Sequence, residues 1–572
     1  MLTSSISCAR PFFCAMQRLE ARLVAFANGS LRWLGGCAAA SCLCLPAGAQ
    51  ETVAEKPLPT FEELEAEGAL IGDVRIINGN IFDLENPKED NFLFRLANKL
   101  HIRTRTEVIE RDLLFRSGDR VSVQKIQESE RLLRSNRFLY SVDIRVASYF
   151  EGVADIEVET RDTWTIEPGI HFSRAGGVNS TGLTLKEGNL LGTGTSIAFA
   201  ESSDVDRKGH EFSFAQDHLL GGWTGIDLTL AHYDDGNRES FSFGQPFYSL
   251  DSRWSAGTTA LHDDRIDSIY RAGVIAEQYR HRLETGEVHA GWSKGLIDGF
   301  TRRYSVGLSY QDDRYNAEPT LPPPAIVPDD QRIIGPYLRY DVVQDNFEKV
   351  ANRNKIARPE FFSLGFTSSV QVGRALTFLG STQELWTYTA SVSDGIHSER
   401  GNDLLGTLSV SGQYGDGHGQ RELFSGSVQY YVPHARRALF YVTASADVVR
   451  NPLVSDLLLL GGDNGLRGYP LRYQSGEQRA LFTVEERVYM DWFPLRLFRV
   501  GGAVFYDIGR AWGGPFDNTV NPGWLSDAGF GLRILNDRAS FGNVLHADIA
   551  FPLNPDANIR SMQFLVKSYA NF

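Results

Sequence analysis

Arg467 is the residue of this sequence whose setting demands most of its chemistry. It stands in "LLLLGGDNGLRGYP" (457–470), where five leucines, four glycines and a proline surround one fixed positive charge. A guanidinium stays ionised at any physiological pH and presents a planar fork of donors, so an enclosed one requires carboxylates opposite it. Two stand downstream. "RALFTVEERVYMDW" (479–492) places Thr483, Glu485 and Arg487 on one face of an extended segment, and "GGAVFYDIGRAW" (501–512) does the same for Asp507 and Gly509. If those faces line a wet interior and the loop folds down between the strands, Arg467 meets Glu485 or Asp507. Gly461, Gly462, Gly465 and Gly468 permit the tight turns and close approach that such a loop needs. The plain alternative is a Gly-rich hairpin with an arginine in solvent.

Other chemistry is scarce. The sequence holds no G-x-S-x-G, H-E-x-x-H or phosphate-loop pattern, and its 12 histidines are scattered without a close pair at metal-ligand spacing. Asp234, Asp235 and Gly236 read as a turn rather than a calcium loop. All five cysteines (Cys8, Cys14, Cys37, Cys42, Cys44) precede residue 45, which excludes thiol chemistry, disulfides and cysteine-bound metal from everything later. The expectation is no enzyme, no catalytic residue, no metal and no cofactor. A net charge of −14 argues against nucleic acid as a partner.

The elements that must position Arg467 follow from the pattern along the chain. Residues 1–49 read as an export signal: Arg18, Arg22 and Arg32 precede a small, apolar run from Leu34 to Leu45, and "AGA" (47–49) offers a cleavage site, with Met16 as an alternative start. Removing them takes away four arginines and one glutamate and moves the net charge from −14 to −17. Residues 50–70 are acidic, broken by "PLP", and read as a linker followed by a short helix. Residues 71–162 read as one α+β domain, with a strand near 74–82, helices over 91–100 and 123–135, and paired strands at 141–148 and 153–160.

From residue 163 to 572 no helical period persists, and no stretch reaches the roughly 18 to 20 apolar residues of a membrane helix. Segments of about ten residues alternate instead. Gly406, Leu408, Val410, Gly412 and Tyr414 oppose Thr407, Ser409, Ser411 and Gln413; Phe424, Val428, Tyr430 and Val432 oppose Ser425, Ser427 and Gln429. A soluble β-sandwich would bury the apolar set, whereas a membrane barrel would expose it to lipid. The unbroken 163–572 stretch suits a closed antiparallel barrel of about 16 strands at about 25 residues each, although a direct count of segments comes nearer 20. "MQFLVKSYANF" closes the chain with Met562, Phe564, Val566, Ala570 and Phe572 on one face, the aromatic ending by which such barrels are recognised for assembly.

With these residues in view, "GGDNGLRGYP" resembles the loop motif of POTRA-plus-barrel outer-membrane proteins of the BamA and TamA type. "YDIG" is similar to that family's aspartate-bearing strand, and "EGNLLGTG" (187–194) to its opening barrel segment. "LLFRSGDRVSVQKIQESERLLRS" (113–135) is similar to a POTRA helix region, and five strands are countable after the loop. The resemblance implies a lumen loop carrying Gly461, Gly462, Leu466, Arg467, Gly468 and Tyr469, with Asp507 as the partner of Arg467 and Glu485 as the acid of the preceding strand. It further implies a barrel signal in Phe564, Val566 and Phe572, a POTRA domain over 71–162 in the periplasm, and a barrel over 163–572 in the bacterial outer membrane. The implied function is insertion, assembly or translocation of polypeptides. The expected partners are membrane lipid, unfolded or secreted clients added at the edge strand 141–148, and accessory periplasmic or inner-membrane proteins. The alternatives are a two-partner-secretion transporter and a passive porin-like channel. Two departures from the family pattern stand out: one POTRA domain rather than several, and no glycine in the last strand.

Overall fold

The computed structural model describes residues 58–219, 221–514, 523–539 and 543–569. The expected export signal, residues 50–57 of the expected linker and Phe572 lie outside them.

The chain first builds a small α+β domain. Strands Leu70–Gly79, Leu139–Phe150 and Val153–Asp162 form a three-stranded sheet. The third strand is central, parallel to the first and antiparallel to the second, so Leu139–Phe150 is an edge. Helices Phe92–Leu100, Thr106–Arg111 and Val123–Ser135 lie between the first two strands in sequence. The long Val123–Ser135 helix buries Ile126 and Leu133 against Val142, Ile156 and Val158 of the sheet. Helix Phe61–Glu67 falls within residues 50–70, which read from the sequence as a linker followed by a short helix. Its capping box on Thr60 and Glu63 starts it, Gly68 in the left-handed conformation ends it, and Leu64 is buried in the same core.

The rest of the chain closes a barrel of 20 antiparallel strands among the described residues, rather than the 16 expected. The difference lies in the connections. A tilted strand crosses a bilayer in about 9 to 11 residues, and several connections are tight turns, as at Ala175↔Val178, Gly415↔His418 and Ala435↔Ala438. An allowance of 25 residues per strand therefore overstates the loops. The first strand, Ile166–Ala175, leaves from the domain, so odd-numbered connections lie at the far end and even-numbered ones at the domain end.

The outside of this barrel is apolar. Leu183, Leu185, Phe199, Val306, Leu338, Leu408, Val504, Phe530 and Phe564 are exposed. The charged residues Asp403, Glu485, Arg487, Asp507, Arg533 and Asp548 are buried on the inner face. That inverts a soluble sandwich and is the arrangement of a wall bathed in lipid.

Candidate functional site

The connection between strands Ala438–Arg450 and Gln478–Tyr489 does not stay at the far rim. It makes a short ribbon, Leu458–Leu460 with Gln474–Gly476, and turns into the lumen. Leu460, Leu466 and Tyr469 are fully buried there with Tyr473, Ala511 and Leu525, which anchors the turn. Asn464 holds it from within, accepting from the Gly461 N–H and donating to the Leu459 carbonyl. Glycine is required where backbones touch. A Cβ on Gly468 would lie 2.7 Å from the Asp527 Cβ, and one on Gly462 would lie 2.5 Å from the Gly176 Cα in the first barrel turn.

Arg467 ends this turn inside a cluster of charges. Its Nε and Nη2 donate to Asp507 Oδ2 and Oδ1 at 2.7 and 2.9 Å, a two-pronged pair. Its Nη1 donates to Glu485 Oε2 at 3.0 Å and to Asp548 Oδ2 at 3.2 Å, while the guanidinium lies 3.3 Å above the Phe505 ring. The carboxylates are themselves held. Thr483 Oγ1 donates to Asp507 at 2.8 Å, Arg487 Nε to Glu485 at 2.9 Å, and Arg533 Nη1 to Asp548 at 2.5 Å. Next to Arg467 the Gly468 N–H donates to Asp527, and the Tyr469 hydroxyl donates to the Ser526 carbonyl and the Asn554 side chain. Four adjacent strands, Gln478–Tyr489, Phe498–Trp512, Leu525–Asn536 and Val544–Pro552, thus grip one turn.

The same loop reaches the junction where the barrel closes. The Leu471 N–H donates to the Gly176 carbonyl in the first barrel turn, and Lys567 of the last strand donates to the Asp463 carbonyl. Among the described residues, one register pair joins the first strand and the last strand, Gln563–Tyr569: Arg174 with Val566. The flanking ladders are far longer, with ten pairs between the first two strands and seven between the last two. Below that single pair, toward the domain, opens a cavity of about 670 Å³ lined by Phe94, Trp164, Pro168, Leu497, Arg538 and Ser568. Pro168 sits within the first strand and contributes no backbone donor there.

A second insertion enters from the domain end. Strands Phe347–Ala351 and Pro359–Ser363 form a hairpin outside the barrel ladder. Ile356, Phe362 and Leu364 of this segment pack on Tyr431, Tyr441 and Tyr489 of the inner wall. Arg353 donates to Asp403 at 2.6 Å, and its carbonyl accepts from Arg487, the partner of Glu485. The two insertions therefore share one chain of polar contacts.

The structure brings Arg467 together with both carboxylates singled out from the sequence, Glu485 and Asp507. It buries Leu466 and Tyr469, and it turns Phe564 outward and places Val566 at the junction. Asp548, Arg533, Asp527 and Phe505 escaped the sequence reading. Asp548 had a visible signal as the one charge of its strand, and Asp527 and Arg533 as the two charges on the inner parity of theirs; nothing in the linear order says which strand lies beside the loop. The hairpin at 347–363 carried no signal of an inward fold.

A closed antiparallel barrel with an apolar exterior and a charged, loop-filled interior is a membrane-spanning barrel of the outer-membrane class. The comparisons with known proteins are in keeping with that class. No protein-family model matches the chain. A putative outer membrane protein assembly factor of Treponema pallidum (strain Nichols) is 30% identical over 176 residues, which is 28% of this chain and 21% of that protein. The match thus spans about a fifth of that relative's length. Among solved structures, BamA from Haemophilus ducreyi lacking POTRA domains 1–3 aligns at 13% identity and a TM-score of 0.38, over 87% of this chain and 84% of that one. CdiB from Escherichia coli aligns at 12% identity and a TM-score of 0.45, over 88% and 76%. The chain is similar to an outer-membrane assembly factor, as the loop motif implied, and it carries an α+β domain ahead of a closed barrel.

Proposed function

We propose that this chain assists insertion, assembly or translocation of other polypeptides at the bacterial outer membrane, with residues 71–162 as a periplasmic POTRA domain and 163–572 as the barrel. The observation that carries the reading is the junction of first and last strands. Among the described residues it holds one register pair, while the lumen loop fastens it at the far end and a cavity opens below it beside the domain. A client strand could add to the edge strand Leu139–Phe150, whose central part is the 141–148 segment, and pass to the barrel edge at the junction. Accessory periplasmic or inner-membrane proteins belong to the same reading.

Arg174→Cys with Val566→Cys tests it. With the five native cysteines, all before residue 45, changed to serine, oxidation links only the junction. The expected result is that the oxidised variant fails to support assembly of outer-membrane proteins in cells depleted of the wild type, and that reductant restores it. Full activity with the junction linked would end the proposal.

A two-partner-secretion transporter is the second reading, favoured by the lumen hairpin 347–363, which belongs to one connection and stands outside the barrel ladder. Export of a dedicated exoprotein through the lumen would tolerate a linked junction.

A further inference from the structure

Helix Phe92–Leu100 carries a feature that the assembly reading does not use. Its inner side is settled: Phe94 stacks on Phe82 with ring centroids 3.8 Å apart, and Ala97 packs beside Trp164 and Leu497 at the barrel's domain-end rim. Its outer side is not polar. Phe92 is 75% exposed, Leu93 68%, Leu100 61% and Leu96 40%, and Ile102 just beyond the helix is 54% exposed. At about 3.6 residues per turn these positions form one stripe. One border of the stripe is the packed side, and the other carries Arg95 and Lys99. A helix in water has no reason to expose four large apolar side chains in a row, since each forgoes the gain from burial.

The stripe is also continuous with a surface whose partner is known in kind. The connection 490–497, which supplies Leu497 to the packed side, exposes Met490, Trp492 and Leu495. Ile166 of the first barrel strand is exposed beside the cavity that Phe94 lines. Aromatic and aliphatic residues at this height form the lower border of the lipid-facing wall.

We infer that helix Phe92–Leu100 is an interfacial membrane anchor, lying in the plane of the near leaflet with Phe92, Leu93, Leu96 and Leu100 in the acyl boundary and Arg95 and Lys99 extended to the lipid headgroups. This rests on the barrel being membrane-spanning. Arg95 also meets Asp90 at 2.5 Å, so Lys99 is the main cation offered to anionic lipid. The anchor fixes the domain against the bilayer directly beneath the junction of first and last strands. It would keep a client at membrane level as it passes from the domain to the wall.

The test uses the full chain with its five native cysteines changed to serine, reconstituted in phosphatidylethanolamine–phosphatidylglycerol vesicles. An environment-sensitive fluorophore is placed on Leu96→Cys, on Leu338→Cys in the lipid-facing belt, and on the exposed Glu65→Cys of the domain. Leu96 is expected to give a blue-shifted emission that aqueous iodide spares and that lipids with nitroxide acyl chains reduce by more than half. Glu65 should show the opposite. Phe92→Ser, Leu93→Ser and Leu100→Ser together should return the Leu96 probe to water; all three side chains are exposed, so the fold is spared. Quenching at Leu338 with a water-like spectrum at Leu96 would overturn the anchor while leaving the barrel intact. Absence of quenching at Leu338 would overturn the membrane-spanning barrel on which the anchor depends. Shielding of Leu96 from iodide without quenching by lipid would assign the stripe to a protein partner and overturn the anchor as well.

Discussion

At the scale of residues, the lumen is organised around charges that are costly when left alone. Asp507, Asp548 and Glu485 are buried, and each meets Arg467. Removing one partner of such a pair strands the other and costs roughly 3 to 5 kcal/mol where water is excluded, and less where it enters. Arg467→Ala should therefore lower the temperature at which the folded barrel shifts to its unfolded mobility on unheated gels. Asp507→Ala should do the same, and the double change should cost less than the sum, because both singles break one contact. Strict additivity would dissolve the pairing. Arg467→Lys should fall between wild type and alanine, since an ammonium keeps the charge and loses the fork that meets both Asp507 oxygens. Much of this cluster was legible from parity: Thr483, Glu485 and Arg487 share one parity, with Phe482, Val484 and Val488 on the other beside Glu486, and Asp507 lies between the apolar Tyr506 and Ile508. Asp548 was not legible as a partner, because it lies 81 residues from Arg467 and only barrel closure brings its strand near.

At the scale of elements, period-two alternation revealed the barrel wall but not its inventory. The strands after the loop fall at 478–489, 498–512, 525–536, 544–552 and 563–569, the five that the sequence pattern counts. The total was misjudged because turn length is set locally by residues such as Gly417, with φ of +83°, which shorten connections without changing the strand pattern. Thr106–Arg111 was missed as a helix because six residues give too little periodicity to see. The hairpin 347–363 was invisible for a different reason. Its inward fold depends on Ile356 and Leu364 finding the tyrosines of strands far away in sequence. Its role in filling the channel is open to direct measurement. Replacing 347–363 by a short Gly-Ser link should raise the single-channel conductance in planar bilayers well above that of the wild type. Ile356→Asp, which places a charge among Tyr431, Tyr441 and Tyr489, should produce frequent openings. An unchanged conductance in both variants would show that the hairpin does not close the path.

At the scale of the molecule, the domain is fastened to the barrel by polar contacts rather than by a tether alone. Asn189 of the opening segment donates to Thr104, which donates in turn to Asp162; His218 meets Asp112, and Arg538 meets Glu89. The most exacting contact is Glu128 of helix Val123–Ser135. It is buried and accepts from the Leu250 N–H of a barrel turn at 2.7 Å and from Gln124 at 2.6 Å. Burial pushes its carboxyl above the ordinary value of 4.5, against the two donated hydrogen bonds and the nearby Arg131 that favour the charged form, while Asp345 adds to the rise. With the docked value raised, this group favours docking most below 4.5, and that contribution fades as the pH rises through the docked value. At neutral pH the ionised carboxylate is therefore a weak point of the joint. Glu128→Gln keeps an oxygen for the Leu250 N–H and removes the charge. It should slow hydrogen exchange across the 246–253 turn at neutral pH, after correction for intrinsic rates, and flatten the rise in opening that the wild type shows from pH 4.5 upward. A variant whose turn opens with the same pH dependence as the wild type would show that another group loosens the joint. The domain would then be held against the barrel without the titration of Glu128.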